Sequence, residues 1–330
     1  MSRVQKYKES LQRFIKDKSC LLEDTDTNNA QINTHIHSKI KENDLIFPIL
    51  LLTIMNNQNK KKHMSMQGYY IASCIEFLNI SLDSIVAKDE IIAKFDNSNY
   101  NKMCSNLFIF SNKSLQQNLE SIKNTYQTQN LNFVNVILNS FSLYNNTLKM
   151  INSLNDFKIT VTNKSCHTNI INWYLKTDTE SINKFKTLKQ VSRESIQEYI
   201  EKKYVSLCEL SIILGWIIGG GDIKEINKLK KSAKYFAIMY KISKDFENLS
   251  ADIKNSTTYS TNYVLNYGLQ DGYEVFLNNK QKFIEESMVD DLYTNTIKEI
   301  IDTIEANVDM IIDQTSPDLK STYSSSKNGL

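Results

Sequence analysis

The sequence predicts an all-α protein. Two observations carry the prediction: helix breakers are scarce, with 8 Gly and 2 Pro in 330 residues, and apolar residues recur at the helical period through most of the chain. Pro48 and Pro317 lie near the two ends, so long helices between them meet few interruptions. A chain of this length buries a substantial core, either as two ordinary domains or as one large helical one.

The elements follow in order. The apolar run over 45–55 contains Pro48 and Thr53 and is too short to span a bilayer. Ile71, Cys74, Ile75, Leu78, Leu82 and Ile85 share one helical face, as do Ile196, Tyr199, Ile200, Leu207 and Leu214. The same spacing joins Ile226, Leu229, Ala233, Phe236, Ala237 and Tyr240, then Ile297, Ile300, Ile301, Ile304, Val308 and Ile311. Helices of this length predict a single bundle-like domain. Polar stretches over 23–33, 56–62, 96–102, 158–168 and from 315 onward read as breaks. Gly219-Gly220-Gly221 reads as a helix end and turn between a helix closing near Trp216 and one opening near Ile223. It lacks the lysine of a phosphate-binding loop.

Composition narrows the function classes. With 23 % charged and 41 % hydrophobic residues and a formal charge of +2, neither disorder nor a nucleic-acid partner is expected. Arg3, Arg13 and Arg193 are the only arginines, which matters because arginine is the better bidentate diphosphate ligand. Cys20, Cys74, Cys104, Cys166 and Cys208 are odd in number and show no CxxC spacing, so a disulfide framework and a zinc site are both disfavoured. The expected location is cytoplasmic, peripheral to membranes at most, with no transmembrane segment and no signal peptide. His35 and His37 form an HxH pair without an acidic or cysteine partner at ligand spacing, which predicts solvent-exposed side chains rather than a metal site. His63 and His167 stand alone, and no Ser/His/Asp or Cys/His constellation is readable.

Several motifs, weak singly, occur in a recognisable order. EKKYVSLCEL places Lys203 and Leu207 around Tyr204, and YKISKDFEN follows at 240–248. Upstream, SLDSIVAKDE covers 81–90, NDLIFP covers 43–48, and NYVLNYGLQDGYEVF continues after the second motif. In this order the chain resembles the trans-isoprenyl diphosphate synthase (polyprenyl synthetase) family over roughly residues 35–315. It looks like a degenerate member, closest in appearance to the branch found in large DNA viruses. The resemblance implies an isoprenoid synthase-like single-domain helical bundle at 35–315, with an N-terminal polar helical extension at 1–34 and a flexible tail at 316–330.

The family's Asp-rich motifs are mostly emptied here. Asp89 alone survives in the first, where Ile85 and Val86 take the first two aspartate positions. Asp245 alone keeps its aspartate place in the second, with Lys244 at a neighbouring aspartate position and Glu247 close by. Asp44 and Phe47 replace the lysine and arginine of the G-K-x-x-R-P element, and the following arginine pair falls on Lys94 and Phe95. The family's reaction ionises an allylic diphosphate on magnesium held by paired carboxylates, and one carboxylate per motif is a poor octahedral cage. An ammonium at Lys244 repels a divalent cation at short range.

Three readings stay open. In the first, Lys244 and Asp245 are plain polar residues on a helix flank. In the second, Lys203, Lys241 and Lys244, with Lys94, hold a diphosphate without metal. In the third, Asp83, Asp89, Glu90, Asp245, Glu247 and Asp252 form an unusual metal site. The expectation is a non-catalytic synthase-like protein acting as a regulatory, scaffold or interaction subunit, with no cofactor. The alternatives are an active trans-prenyltransferase using Mg²⁺ at a divergent site on Asp89 and Asp245, or a metal-free isoprenoid diphosphate binder. The resemblance also implies a homodimer, or a heteromer with an active prenyl synthase, through the apolar stripes of 68–85 and 131–154.

Overall fold

The computed structural model describes residues 2–18, 30–63, 67–128, 132–166, 179–255 and 260–315. Cys20, His167, Pro317 and the tail expected at 316–330 lie outside them. The helices in chain order are α1 (Arg3–Lys18), α2 (Ala30–Glu42), α3 (Ile46–Lys61), α4 (Tyr69–Val86), α5 (Lys88–Phe95), α6 (Asn97–Thr128), α7 (Phe133–Ser153), α8 (Thr179–Thr187), α9 (Arg193–Ile200), α10 (Ser206–Ile218), α11 (Ile226–Glu247), α12 (Leu249–Asn255), α13 (Tyr263–Tyr267), α14 (Leu269–Val289) and α15 (Asn295–Thr315). A π-turn, Glu201–Val205, joins α9 to α10. One antiparallel pair, β1 (Val161–Ser165) with β2 (Lys189–Val191), aligns Val161 with Val191 and Ser165 with Lys189. The all-α expectation therefore holds, apart from this short strand pair.

The chain forms two units: Met1–Asn155 with Ser206–Lys231 and Asp290–Glu299, and Asp156–Val205 with Ser232–Val289 and Ile300–Leu330. In the first, α4 packs on α6 and α3, and α10 packs on α3 and α7. The predicted face of α4 is wholly buried except for Ile85, so the stripe over 68–85 is core and is not left for a partner. Gly215 inside α10 and Gly219 just past its end allow α3 to approach closely: a Cβ on Gly215 would lie 2.6 Å from the Leu51 carbonyl, and one on Gly219 2.8 Å from that of Met55. The end of α10 is closed by Tyr126, whose hydroxyl lies 2.5 Å from the Ile217 carbonyl and 2.9 Å from that of Ile218. These are terminal carbonyls with no partner inside the helix.

In the second unit Phe236 of α11 meets Phe283 of α14 edge-on at 5.0 Å. Lys280 pairs with Glu305, and the Tyr273 hydroxyl donates to Asp309 at 3.0 Å, so α14 is tied to α15. Arg193, which opens α9, stacks on Tyr267 at 4.2 Å and bonds Asp271 at 3.0 Å.

Several expected breaks are filled. The polar stretch 56–62 continues α3 to Lys61, with Gln58 and Asn59 buried. The break over 96–102 shrinks to Asp96, held at φ 72° between α5 and α6. The stretch 158–168 contains β1, and the helix expected to close near Trp216 reaches Ile218. The glycine turn is as expected, with Gly220 at φ 89°, and α2 runs across position 34. Among the described residues no single helix is long and apolar enough to cross a membrane, and α4 and α5 together are bent by 89°.

Candidate functional site

Helix α11 carries the second motif, and its period puts Lys241 and Asp245 one turn apart on the same face. Both side chains are buried, at 2 % and 5 % exposure. The Lys241 ammonium donates to Asp245 Oδ1 and, at 3.1 Å, to the Thr261 carbonyl. Asp245 Oδ2 accepts the Tyr263 N–H at 2.9 Å. Asn262 closes the arrangement: its Nδ2 donates to the Asp245 carbonyl at 2.8 Å and to Asp252 at 2.7 Å, while its Oδ1 caps α13 on the Leu265 N–H at 3.1 Å. Burial pushes the Asp245 carboxyl up to about 6, against the opposing pull of Lys241 and the Tyr263 N–H. Both carboxylate oxygens are thus engaged, and the cation beside them is built into the helix.

Around this pair lies a cluster of tyrosines. Tyr199, Tyr204 and Tyr240 follow one another edge to face at 6.2 and 6.3 Å. Lys203 and Lys241 each place Nζ 5.9 Å from the Tyr199 ring, and Lys203 lies 5.3 Å from Tyr204. Lys244 stands 5.6 Å from the Tyr240 ring and pairs with Glu247 at 2.7 Å. The structure therefore gathers Lys203, Lys241 and Lys244 on one aromatic surface, where ring faces attract ammonium groups. It places Glu247 at the exposed flank. Sequence reading missed Tyr199 and Tyr240 as site residues and missed Asn262 entirely. An asparagine preceding the apolar YVL run is a helix-cap signal, but its side-chain reach to Asp245 and Asp252 is not local.

The remaining candidates belong to the first unit. Asp89 and Glu90 are exposed in the first turn of α5, where the helix dipole favours acids with no ligand present. Lys94 lies 5.1 Å from the Phe95 ring, and His35 meets Phe95 edge-on at 5.1 Å. His35 and His37 are half-buried rather than solvent-exposed, and burial with neighbouring lysines lowers both below the ordinary imidazole value. Phe47 is core, and Asp44 caps the Ile46 N–H at 3.2 Å. Glu76, on the inner face of α4, is fully buried. It is bonded through Oε1 to Asn43 at 2.5 Å, its Oε2 has no hydrogen-bond partner, and burial raises it to about 8.

Solved structures that this chain resembles include prenyl diphosphate synthases and geranyltransferases. An FPP/GFPP synthase from Zymomonas mobilis superposes with a TM-score of 0.57 at 12 % identity, covering 92 % of this chain and 97 % of the other. A geranyltransferase from Helicobacter pylori gives 0.59 at 13 % identity, covering 93 % and 99 %. A geranyltranstransferase from Methanosarcina mazei gives 0.53 at 13 %, covering 96 % and 98 %. No family model and no curated protein matches the sequence. At this identity the likeness establishes the fold: this chain has the helical isoprenoid synthase fold. Chemistry rests on the site itself.

The donor set does not fit the magnesium cluster of that reaction. Octahedral Mg²⁺ requires several free oxygen ligands, whereas Asp245 is committed to Lys241 and to Tyr263. Among the described residues no group of three or more His, Cys, Asp or Glu side chains could hold a metal ion.

Proposed function

We propose that this chain is a non-catalytic relative of the prenyl diphosphate synthases, acting as a regulatory, scaffold or interaction subunit. The observation that carries the reading is the buried Lys241–Asp245 pair. A catalytic aspartate must offer free lone pairs to a metal that bridges a leaving diphosphate. Here the Lys241 ammonium is already paired with Asp245, and displacing it would strand a buried charge at a cost of about 3–5 kcal/mol. Incubating the purified chain with isopentenyl diphosphate, allylic diphosphates and Mg²⁺ or Mn²⁺ should yield no elongated product. Metal-dependent turnover abolished by Asp245→Ala would overturn the reading in favour of an active enzyme with a divergent site.

The tyrosine-bound lysines favour a second reading, metal-free binding of an isoprenoid diphosphate. Lys203 and Lys244 lie over Tyr199, Tyr204 and Tyr240 beside the Lys241–Asp245 pair, and ammonium groups are competent phosphate donors. Binding of geranylgeranyl diphosphate that persists in chelator and weakens in Lys203→Gln would support it. Complete loss of binding on chelation would remove it.

A further inference from the structure

The first unit contains a cleft that the synthase-like reading does not use. It has a volume of about 380 Å³, is lined by residues of α1, α3 and the segment opening α15, and has Tyr69, the first residue of α4, at its edge. An 18-residue helix at 1.5 Å per residue spans roughly 27 Å, and Asp89 lies beyond the far end of α4. The cleft is therefore remote from the first motif.

Its lining is one-sided in charge. Among the described residues Arg3, Lys6 and Lys60 contribute to it, and no carboxylate does. The acids nearby are already engaged. Glu299 accepts the Arg3 and Val4 N–H groups at 3.1 and 3.3 Å, and Asp291 pairs with Lys61. Lysines ending α3 are ordinary, since the helix dipole favours cations at a C-terminus. The same dipole disfavours Arg3 and Lys6 in the opening turns of α1, so their convergence with Lys60 has no explanation in local helix stability. Thr53 lines the same cleft, is 3 % exposed, and buries a hydroxyl with no hydrogen-bond partner. A buried hydroxyl without an acceptor is unfavourable, and an oxygen-rich anion would supply one. The nearby amide of Asn56 is held by the Tyr7 hydroxyl at 2.8 Å, which fixes two walls of the cleft.

We propose that this cleft binds a phosphate-bearing ligand through Arg3, Lys6, Lys60 and the Thr53 hydroxyl. A phosphate group matches the lining because it brings only acceptor oxygens and more than one negative charge to a surface of donors. The group could belong to a free small molecule or to a lipid headgroup, and the test separates the two. The full chain is titrated with pyrophosphate by calorimetry, and in parallel sedimented with phosphatidylcholine vesicles with and without phosphatidic acid. Acetylation of individual lysines is mapped in each case.

The expected result is saturable binding that protects Lys6 and Lys60 from acetylation. The double substitution Lys6→Gln/Lys60→Gln should weaken it at least about tenfold, the scale of lost charge-assisted contacts, and Thr53→Val should weaken it less. Both lysines are exposed, so the double variant should fold. Protection by pyrophosphate identifies a free phosphate ligand, and protection by acidic vesicles alone identifies a headgroup. No protection of Lys6 and Lys60 by either probe, or binding insensitive to all three substitutions, overturns the proposal. Binding lost only in Lys203→Gln overturns it too, and assigns the anion to the tyrosine cluster instead.

Discussion

Lys241 lies one helical turn from Asp245, and that spacing alone sets an ammonium beside the carboxylate. Asp245 stands out in the sequence as the carboxylate that keeps its place in the second motif and Lys241 as a candidate diphosphate ligand, and their i, i+4 relation is readable there. What the sequence does not reveal is that the carboxylate is buried, that the Tyr263 N–H, 18 positions on, bonds it, and that Asn262, 17 positions on, bonds the Asp245 main-chain carbonyl, because that closure depends on how α12 and α13 return to α11. Glu76 makes a second case at this scale. It falls within the apolar stripe of α4, yet it is fully buried with one oxygen unpartnered, and burial raises it from 4.5 to about 8. A carboxyl raised in the folded state contributes stability that is complete below its unfolded value and is lost as pH rises through the folded one. Urea unfolding of the wild type should therefore show stability falling from pH 4.5 towards about 8, by on the order of 5 kcal/mol. Glu76→Gln should remove most of that slope. A wild-type profile as flat as that of Glu76→Gln would show that Glu76 ionises freely.

Elements were more legible than their ends. The apolar faces of α4, α9, α10 and α15 are readable because 3.6-residue periodicity reports burial directly. The polar run at 56–62 misleads, since Gln58 and Asn59 are drawn into the interior by packing that no local pattern records. Glycines show the same limit. Gly219–Gly221 is a visible turn, but Gly215 sits inside an apparently ordinary helix, and its function is to let α3 lie against α10. A Cβ there would meet backbone, the Leu51 carbonyl at 2.6 Å, and backbone cannot step aside as a side chain can. Gly215→Ala, favourable by helix propensity, should therefore destabilise the chain by about 1–3 kcal/mol. A thermal melt at or above the wild-type midpoint would mean that the two helices separate without cost.

For the whole molecule, the question is which apolar surface remains after the core has been built. The stripes of 68–85 and 131–154 have different fates. The first is covered by α3, α6 and α10, whereas α7 buries only one face, through Val136, Tyr144 and Ile151. Val134 and Leu138, one turn apart, remain 63 % and 62 % exposed, and Met150 on the same helix and Ile109 on α6 are also exposed. Val134 and Leu138 share one exposed face of α7, and neighbouring exposed apolar residues mark an association surface more often than scattered ones do. A two-fold homodimer is the simplest partner, because one patch then serves both subunits. Sedimentation at micromolar concentration should show a dimer, and Val134→Glu with Leu138→Glu should dissociate it without lowering the melting temperature of the monomer, since neither side chain supports the core. If the wild type sediments as a monomer, alone and with active prenyl synthases, the α7 face is not an interface and the subunit reading falls with it. If it sediments as a dimer that the two glutamates leave intact, association runs through another surface.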